Sequence, residues 1–181
     1  MKRIHRGMAL ALSAVLLLLT AAPSAWAAEN TITIETAQDL AELSKNCSLD
    51  SWSQGKTVFL AGDIDLTGTD FRPIPTFGGT FDGQGHTISG LLVTGNGNVQ
   101  GLFRYVQVGG VVQDLSVRGT VSPTDFRDTA GGIVGSNRGQ LLRCTFQGTV
   151  KGESSVGGIA GINEAEGRLI NCTFSGLVEG N

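Results

Sequence analysis

The block Gly132-Ile133-Val134-Gly135-Ser136-Asn137 returns as Gly158-Ile159-Ala160-Gly161-Ile162-Asn163, and each copy leads into the same kind of apolar strand. That strand is Leu142-Arg143-Cys144-Thr145-Phe146-Gln147-Gly148 in the first copy and Ile170-Asn171-Cys172-Thr173-Phe174-Ser175-Gly176 in the second. The blocks lie 26 residues apart and the strands 28, so the second copy carries a two-residue insertion in its linking turn. A unit this short cannot enclose a core alone. It buries its apolar face only by stacking on neighbours, which is the logic of a solenoid. Leu115-Ser116-Val117-Arg118-Gly119-Thr120-Val121 aligns as an eroded third unit; it is introduced by Gly101-Leu102-Phe103, with Arg104 where the clear copies have Gly135 and Gly161.

Within each unit apolar and polar residues alternate over about five to seven positions and then break at glycine. Helical periodicity is confined to residues near 37–45, which leaves no room for crossover helices. The pattern predicts an all-β chain wound as a parallel β-helix, with equivalent strands stacked about 4.8 Å apart. The rule for parallel crossovers makes it right-handed. The inward columns are then Leu115/Cys144/Cys172, Val117/Phe146/Phe174 and Val121/Val150/Val178. The pairs Gly131-Gly132 and Gly157-Gly158 fit corners too tight for a Cβ. Asn137 and Asn163 fit the next corner, where asparagine tolerates left-handed backbone and can stack in a hydrogen-bonded ladder. A β-sandwich with glycine-rich hairpins is the main rival. It requires antiparallel neighbours and leaves the columns unexplained.

Ahead of the repeats, Thr31–Ile34 reads as a short strand. Thr36 and Asp39 form a capping-box signature before a one-sided helix that carries Leu40, Ala41 and Leu43 and runs to about Lys45. A single helix before an array suits a cap on the first coil. Further upstream, Lys2, Arg3 and Arg6 precede an apolar run from Met8 to Thr20 and the small-x-small site Ala25-Trp26-Ala27. These are the parts of a signal peptide cleaved between Ala27 and Ala28, and the run is short for a membrane span. The expected plan is therefore a signal peptide over 1–27, a strand, capping helix and loop over 28–55, and coils over 56–181, with clear repeats near 130–152 and 156–180. The array reaches Val178 with no closing cap, which predicts continuation in a longer native chain or end-to-end self-association of this one.

Removing 1–27 leaves ten Lys and Arg against sixteen Asp and Glu, a net charge of −6. That balance, with no basic run, speaks against nucleic acid as partner. Cys47, Cys144 and Cys172 are an odd number and cannot form a closed disulfide framework. Cys144 and Cys172 fall in one inward column, where small buried thiols suffice. With no Cys-x-x-Cys and no His–Cys cluster, neither a zinc site nor any cofactor is expected.

The Gly-Ile-Val-Gly and Gly-Ile-Ala-Gly blocks, each followed two residues on by Asn137 or Asn163, resemble the GLUG motif of bacterial exported proteins. The upstream series Asp63-Ile64-Asp65-Leu66, Phe71-Arg72-Pro73-Ile74 and Gly79-Thr80-Phe81-Asp82-Gly83-Gln84-Gly85-His86-Thr87-Ile88 is similar to the segment that often precedes those motifs. The resemblance spans roughly residues 31–181. It implies a β-helical region of secreted or wall-associated proteins with adhesive or unassigned roles. Some relatives carry an immunoglobulin-cleaving metallopeptidase domain. That activity requires a His-Glu-x-x-His helix, and the histidines here are His5 and His86.

Parallel β-helices also host polysaccharide lyases and hydrolases that work through clustered carboxylates. Asp63, Asp65 and Asp82, with Asp70 nearby, form the group to weigh for such acid–base or calcium chemistry. The competing reading makes Asp63 and Asp65 solvated strand residues and Asp82 a turn former before Gly83. His86 suits a turn better than a general base. Arg138, Arg143 and Arg168 suit ordinary surface charge better than an acidic-glycan face. Asn46-Cys47-Ser48 and Asn171-Cys172-Thr173 match the N-glycosylation pattern, the second beside an inward cysteine. Trp52, Phe103 and Tyr105 are too dispersed for a sugar-stacking platform. The expectation is an exported, non-enzymatic surface module, a rigid stalk or adhesive ligand-display face for host or wall glycan or protein. A carbohydrate-active β-helix using Asp63, Asp65 and Asp82 is the alternative.

Overall fold

In a computed structural model the described residues are 30–124 and 128–180; the expected cleavage site at Ala27 and Ala28 lies outside them. Strand β1 (Thr31–Ile34) and helix α1 (Ala37–Asn46) come first. The first coil holds β2 (Thr57–Leu60), β3 (Ile64–Asp65) and β4 (Ile74–Phe77). The second holds β5 (Thr80–Asp82), β6 (Thr87–Val93), β7 (Val99–Gln100) and β8 (Phe103–Val106). The third holds β9 (Val111–Gln113), β10 (Ser116–Val121), β11 (Thr129–Gly131) and β12 (Val134–Asn137). The fourth holds β13 (Gln140–Leu142), β14 (Thr145–Gly152), β15 (Ser155–Gly157) and β16 (Ala160–Asn163). A fifth begins with β17 (Arg168–Ile170) and β18 (Thr173–Gly180).

Equivalent strands of successive coils pair in parallel and build four walls. The first wall is β1-β2-β5-β9-β13-β17, the second β3-β6-β10-β14-β18, the third β7-β11-β15 and the fourth β4-β8-β12-β16. The chain is thus a parallel β-solenoid of about five turns with one short helix. The sandwich alternative is excluded by the register, since every paired strand runs parallel, Val117 with Phe146 and Phe146 with Phe174, Val121 with Val150 and Val150 with Val178. Alternation supplies the interior: Val117, Val121, Phe146 and Val150 are fully buried, while Arg118 and Gln147 between them face out. Phe77, Phe81 and Phe103 meet edge-on or tilted with ring centroids 5.4–6.1 Å apart, a favourable aromatic geometry.

Helix α1 packs on β1 and β4 and turns Leu40 and Leu43 into the core. Its capping box is present, with Thr36 accepting from the Asp39 N–H and Asp39 accepting from the Thr36 N–H. The Ser44 hydroxyl is buried against the Arg72 and Pro73 carbonyls, 2.9 and 3.2 Å away, and so anchors the helix to the first coil. The following loop is less irregular than its composition suggests. Cys47 and Ser53 are fully buried, and Ser53 accepts from the Gly78 N–H at 2.9 Å. At the other end the fifth coil leaves Leu169, Ile170, Leu177 and Val178 exposed.

Candidate functional site

The repeated glycines serve the scaffold. A Cβ on Gly132 would run into the Phe146 ring and one on Gly158 into the Phe174 ring, so each glycine makes room for the aromatic of the next coil. Those two rings stack at 6.2 Å with planes 8° apart. Ile133 and Val134 between the glycines are fully buried. Asn137 is also fully buried; its Nδ2 donates to Asn163 Oδ1 at 2.8 Å and its Oδ1 accepts from the Gly139 N–H at 3.1 Å. Asn163 donates in turn to the Gly167 carbonyl at 2.9 Å. The ladder spans two coils, because Val106 holds the equivalent place in the coil before.

A second corner device is absent from the motif reading. Gln84, Asp114, Arg143 and Asn171 have φ near +50° (51°, 50°, 53° and 54°) and turn the chain from the first wall into the second in four successive coils. Asp and Asn tolerate this conformation, which is the faint signal the sequence offers; Gln and Arg give none. Arg143 makes a bidentate pair with Asp114, 2.6 Å for each bond, and that contact holds the Asp114 carboxyl below the usual range.

The carboxylates proposed for chemistry serve separate turns. Asp63 accepts from the Thr87 N–H at 2.8 Å and lies 3.5 Å from His86 Nδ1. Asp65 accepts from the Thr67 hydroxyl and N–H at 2.7 and 2.9 Å, bonds that hold its carboxyl below the usual range. Asp82 accepts from the Gln84 N–H and from Gln113 Nε2, both at 2.9 Å. No hydrogen bond joins the three. Among the described residues no three His, Cys, Asp or Glu side chains come together. The three thiols are free. Burial pushes Cys47 up to about 12. The half-buried Cys172 is held below the usual thiol range by its neighbour Cys144, whose own thiol is raised by the same contact and by burial. Both thiols donate to backbone carbonyls, Cys144 to Val112 and Cys172 to Leu141, each at 3.4 Å. Of the glycosylation-pattern asparagines, Asn46 ends α1 and Asn171 sits exposed at its corner.

An open groove remains, and it follows from a gap in the third wall. That wall begins only at β7; the first coil has a loop there instead of a strand. In later coils the fourth-wall position after Val134 or Ala160 must be glycine. A Cβ on Gly135 would lie 2.9 Å from the Gln100 N of β7, and one on Gly161 2.6 Å from Thr129 of β11. The register puts Arg104 at this same position in β8, where the coil before offers no third-wall strand to collide with. Its Nε donates to the Val99 carbonyl at 3.0 Å, which orients the guanidinium.

Two adjoining clefts of about 860 and 630 Å³ result, meeting at Ser48, Pro75 and Arg104. The first lies between α1, the segment from Asp70 to Pro73 and the turn after β6, and is lined by Lys45, Arg72 and Arg104. The second runs on past the exposed Tyr105 to Arg138. Arg138 pairs with Glu166 at 3.7 Å; among the described residues no ion pair engages Lys45, Arg72 or Arg104. Of the three arginines weighed for an acidic-glycan face, Arg138 reaches this groove, whereas Arg143 is tied to Asp114 and Arg168 is exposed on β17.

Residues 152–178 match the family model described as the GLUG motif. The chain is also similar to halomucin of Haloquadratum walsbyi (strain DSM 16790 / HBSQ001), with 32% identity over 131 residues. That alignment covers 63% of this chain and 1% of halomucin, so the chain spans a very small part of this relative. The relative is archaeal, which takes the likeness outside bacteria. No solved structure matches the chain.

Proposed function

For a chain that carries the GLUG motif in a parallel solenoid, we propose the role of an extracellular, surface-associated repeat module. It is rigid and non-enzymatic and presents a ligand-binding face. The observation that carries this reading is the use made of its polar side chains. Asp63, Asp65, Asp82, Asn137, Asn163 and Arg143 each hold a turn, a corner or the neighbouring coil. Groups committed to backbone in this way build a stiff wall instead of a reactive centre. The signal-peptide features before residue 28 and the similarity to halomucin support export.

The test is surface labelling of intact cells that express the full gene, with a membrane-impermeant amine reagent. The module is labelled before lysis if the proposal holds. Labelling only after lysis contradicts it. Release of reducing or unsaturated ends from pectic or host glycans, abolished by Asp63→Asn, Asp65→Asn or Asp82→Asn, would contradict its non-enzymatic part.

A further inference from the structure

The groove at Arg104 is positively charged on a chain whose formal charge is −3, and −6 once residues 1–27 are excluded. Lys45, Arg72 and Arg104 line the first cleft against one carboxylate, Asp70. Beyond the exposed Tyr105 the second cleft is balanced in charge: it is lined by Asp50 and by Arg138, which pairs with Glu166, so the basic part of the groove is the first cleft. In the floor lies Gln100, 4% exposed; its Nε2 donates to the Asn96 carbonyl at 3.3 Å, and its Oε1 is buried with no partner. Arg104 stands where the third and fourth coils require glycine and where the first coil has Pro75, so the groove lies where the scaffold rule lapses.

We propose that this groove binds an acidic saccharide, a short chain of uronic acid residues, with its carboxylates on Arg72 and Arg104. Guanidinium forks bind carboxylates through two parallel hydrogen bonds, and Arg104 is already oriented by Val99. The space suits more than a simple anion: the two clefts adjoin at Ser48, Pro75 and Arg104 and together exceed the volume of a small-molecule pocket. Tyr105 offers a flat, half-polar face for a sugar ring, and Ser48, Gln107 and the Gln100 acceptor offer partners for its hydroxyls. Nucleic acid does not suit the net negative charge of the rest of the surface.

The inference rests on the ligand-display reading, and its failure leaves surface location, tested separately by labelling, untouched. The experiment is calorimetric titration of the purified chain with tetragalacturonate at low salt. Maltotetraose, tetraglutamate and inorganic phosphate are the comparison titrants. The expected result is saturable binding of tetragalacturonate alone, weakened about tenfold or more by Arg104→Gln or Arg72→Gln. Arg118→Gln, on the outer face of β10, leaves it unchanged. Unaltered thermal midpoints separate lost binding from lost fold. Failure of tetragalacturonate to bind, equal binding of tetraglutamate or phosphate, or binding that survives Arg104→Gln overturns the proposal.

Discussion

Glycine in this chain is a packing residue before it is a turn residue. At Gly132 the missing Cβ is occupied by the Phe146 ring, which is fully buried and has nowhere to move. Gly132→Ala is expected to lower stability by about 1–3 kcal/mol, the usual cost of overpacking a core, read as a fall in the denaturant midpoint. Gly158→Ala meets the Phe174 ring, which is only partly buried at the open end and can give way, so the loss there is smaller. Asn137→Ala removes the acceptor of the buried Gly139 N–H and is expected to cost about 1–3 kcal/mol. Charge matters less. The folded pKa of Asp114 lies below its unfolded value, so the Arg143 pair contributes fully above the ordinary aspartate range. Its contribution fades as pH falls through the lower folded value, and solvent screening keeps the effect small. The thiols differ in access: in iodoacetamide labelling at neutral pH, followed by peptide mapping, the partly exposed Cys172 reacts first and the fully buried Cys47, whose thiol burial also raises, stays unmodified.

At the scale of elements, the walls and the cap follow different rules. Strands of three to eight residues in the third and fourth coils hold together only through coils above and below, so no single strand is separable. Helix α1 is held by its own capping box and by Ser44. Thr36→Ala is expected to cost about 1 kcal/mol, and the midpoint falls accordingly. The helix was legible in the sequence because Thr36, Asp39, Leu40 and Leu43 follow a local rule. The strand columns were legible because Val117, Phe146 and Phe174 recur at nearly equal spacings of 29 and 28 residues within the same local pattern. The left-handed corners at Gln84 and Arg143 were not, since their conformation is imposed by neighbouring coils and not by residue type. The groove was half legible. Arg104 is visible as a break in the glycine pattern, but the space it fills depends on the first coil lacking a third-wall strand, a relation between residues far apart in the chain.

At the scale of the whole molecule, identical positions in successive coils stack, and this single rule accounts for the core, the glycine corners and the asparagine ladder. The groove is where the rule lapses, at the junction of the helical cap and the second coil. Scaffold and recognition are thereby separated: changes in the repeat glycines alter stability, while changes at Arg72 and Arg104 alter binding. The measurement that tests the stacking rule most directly is the pattern of interstrand nuclear Overhauser effects in the labelled chain. In-register parallel coils predict amide-to-α-proton contacts between β14 and β18 at a constant offset of 28 residues, with Gln147 beside Ser175 and Thr149 beside Leu177. Close α-proton pairs with offsets that shrink along the strand, the mark of antiparallel neighbours, would contradict it.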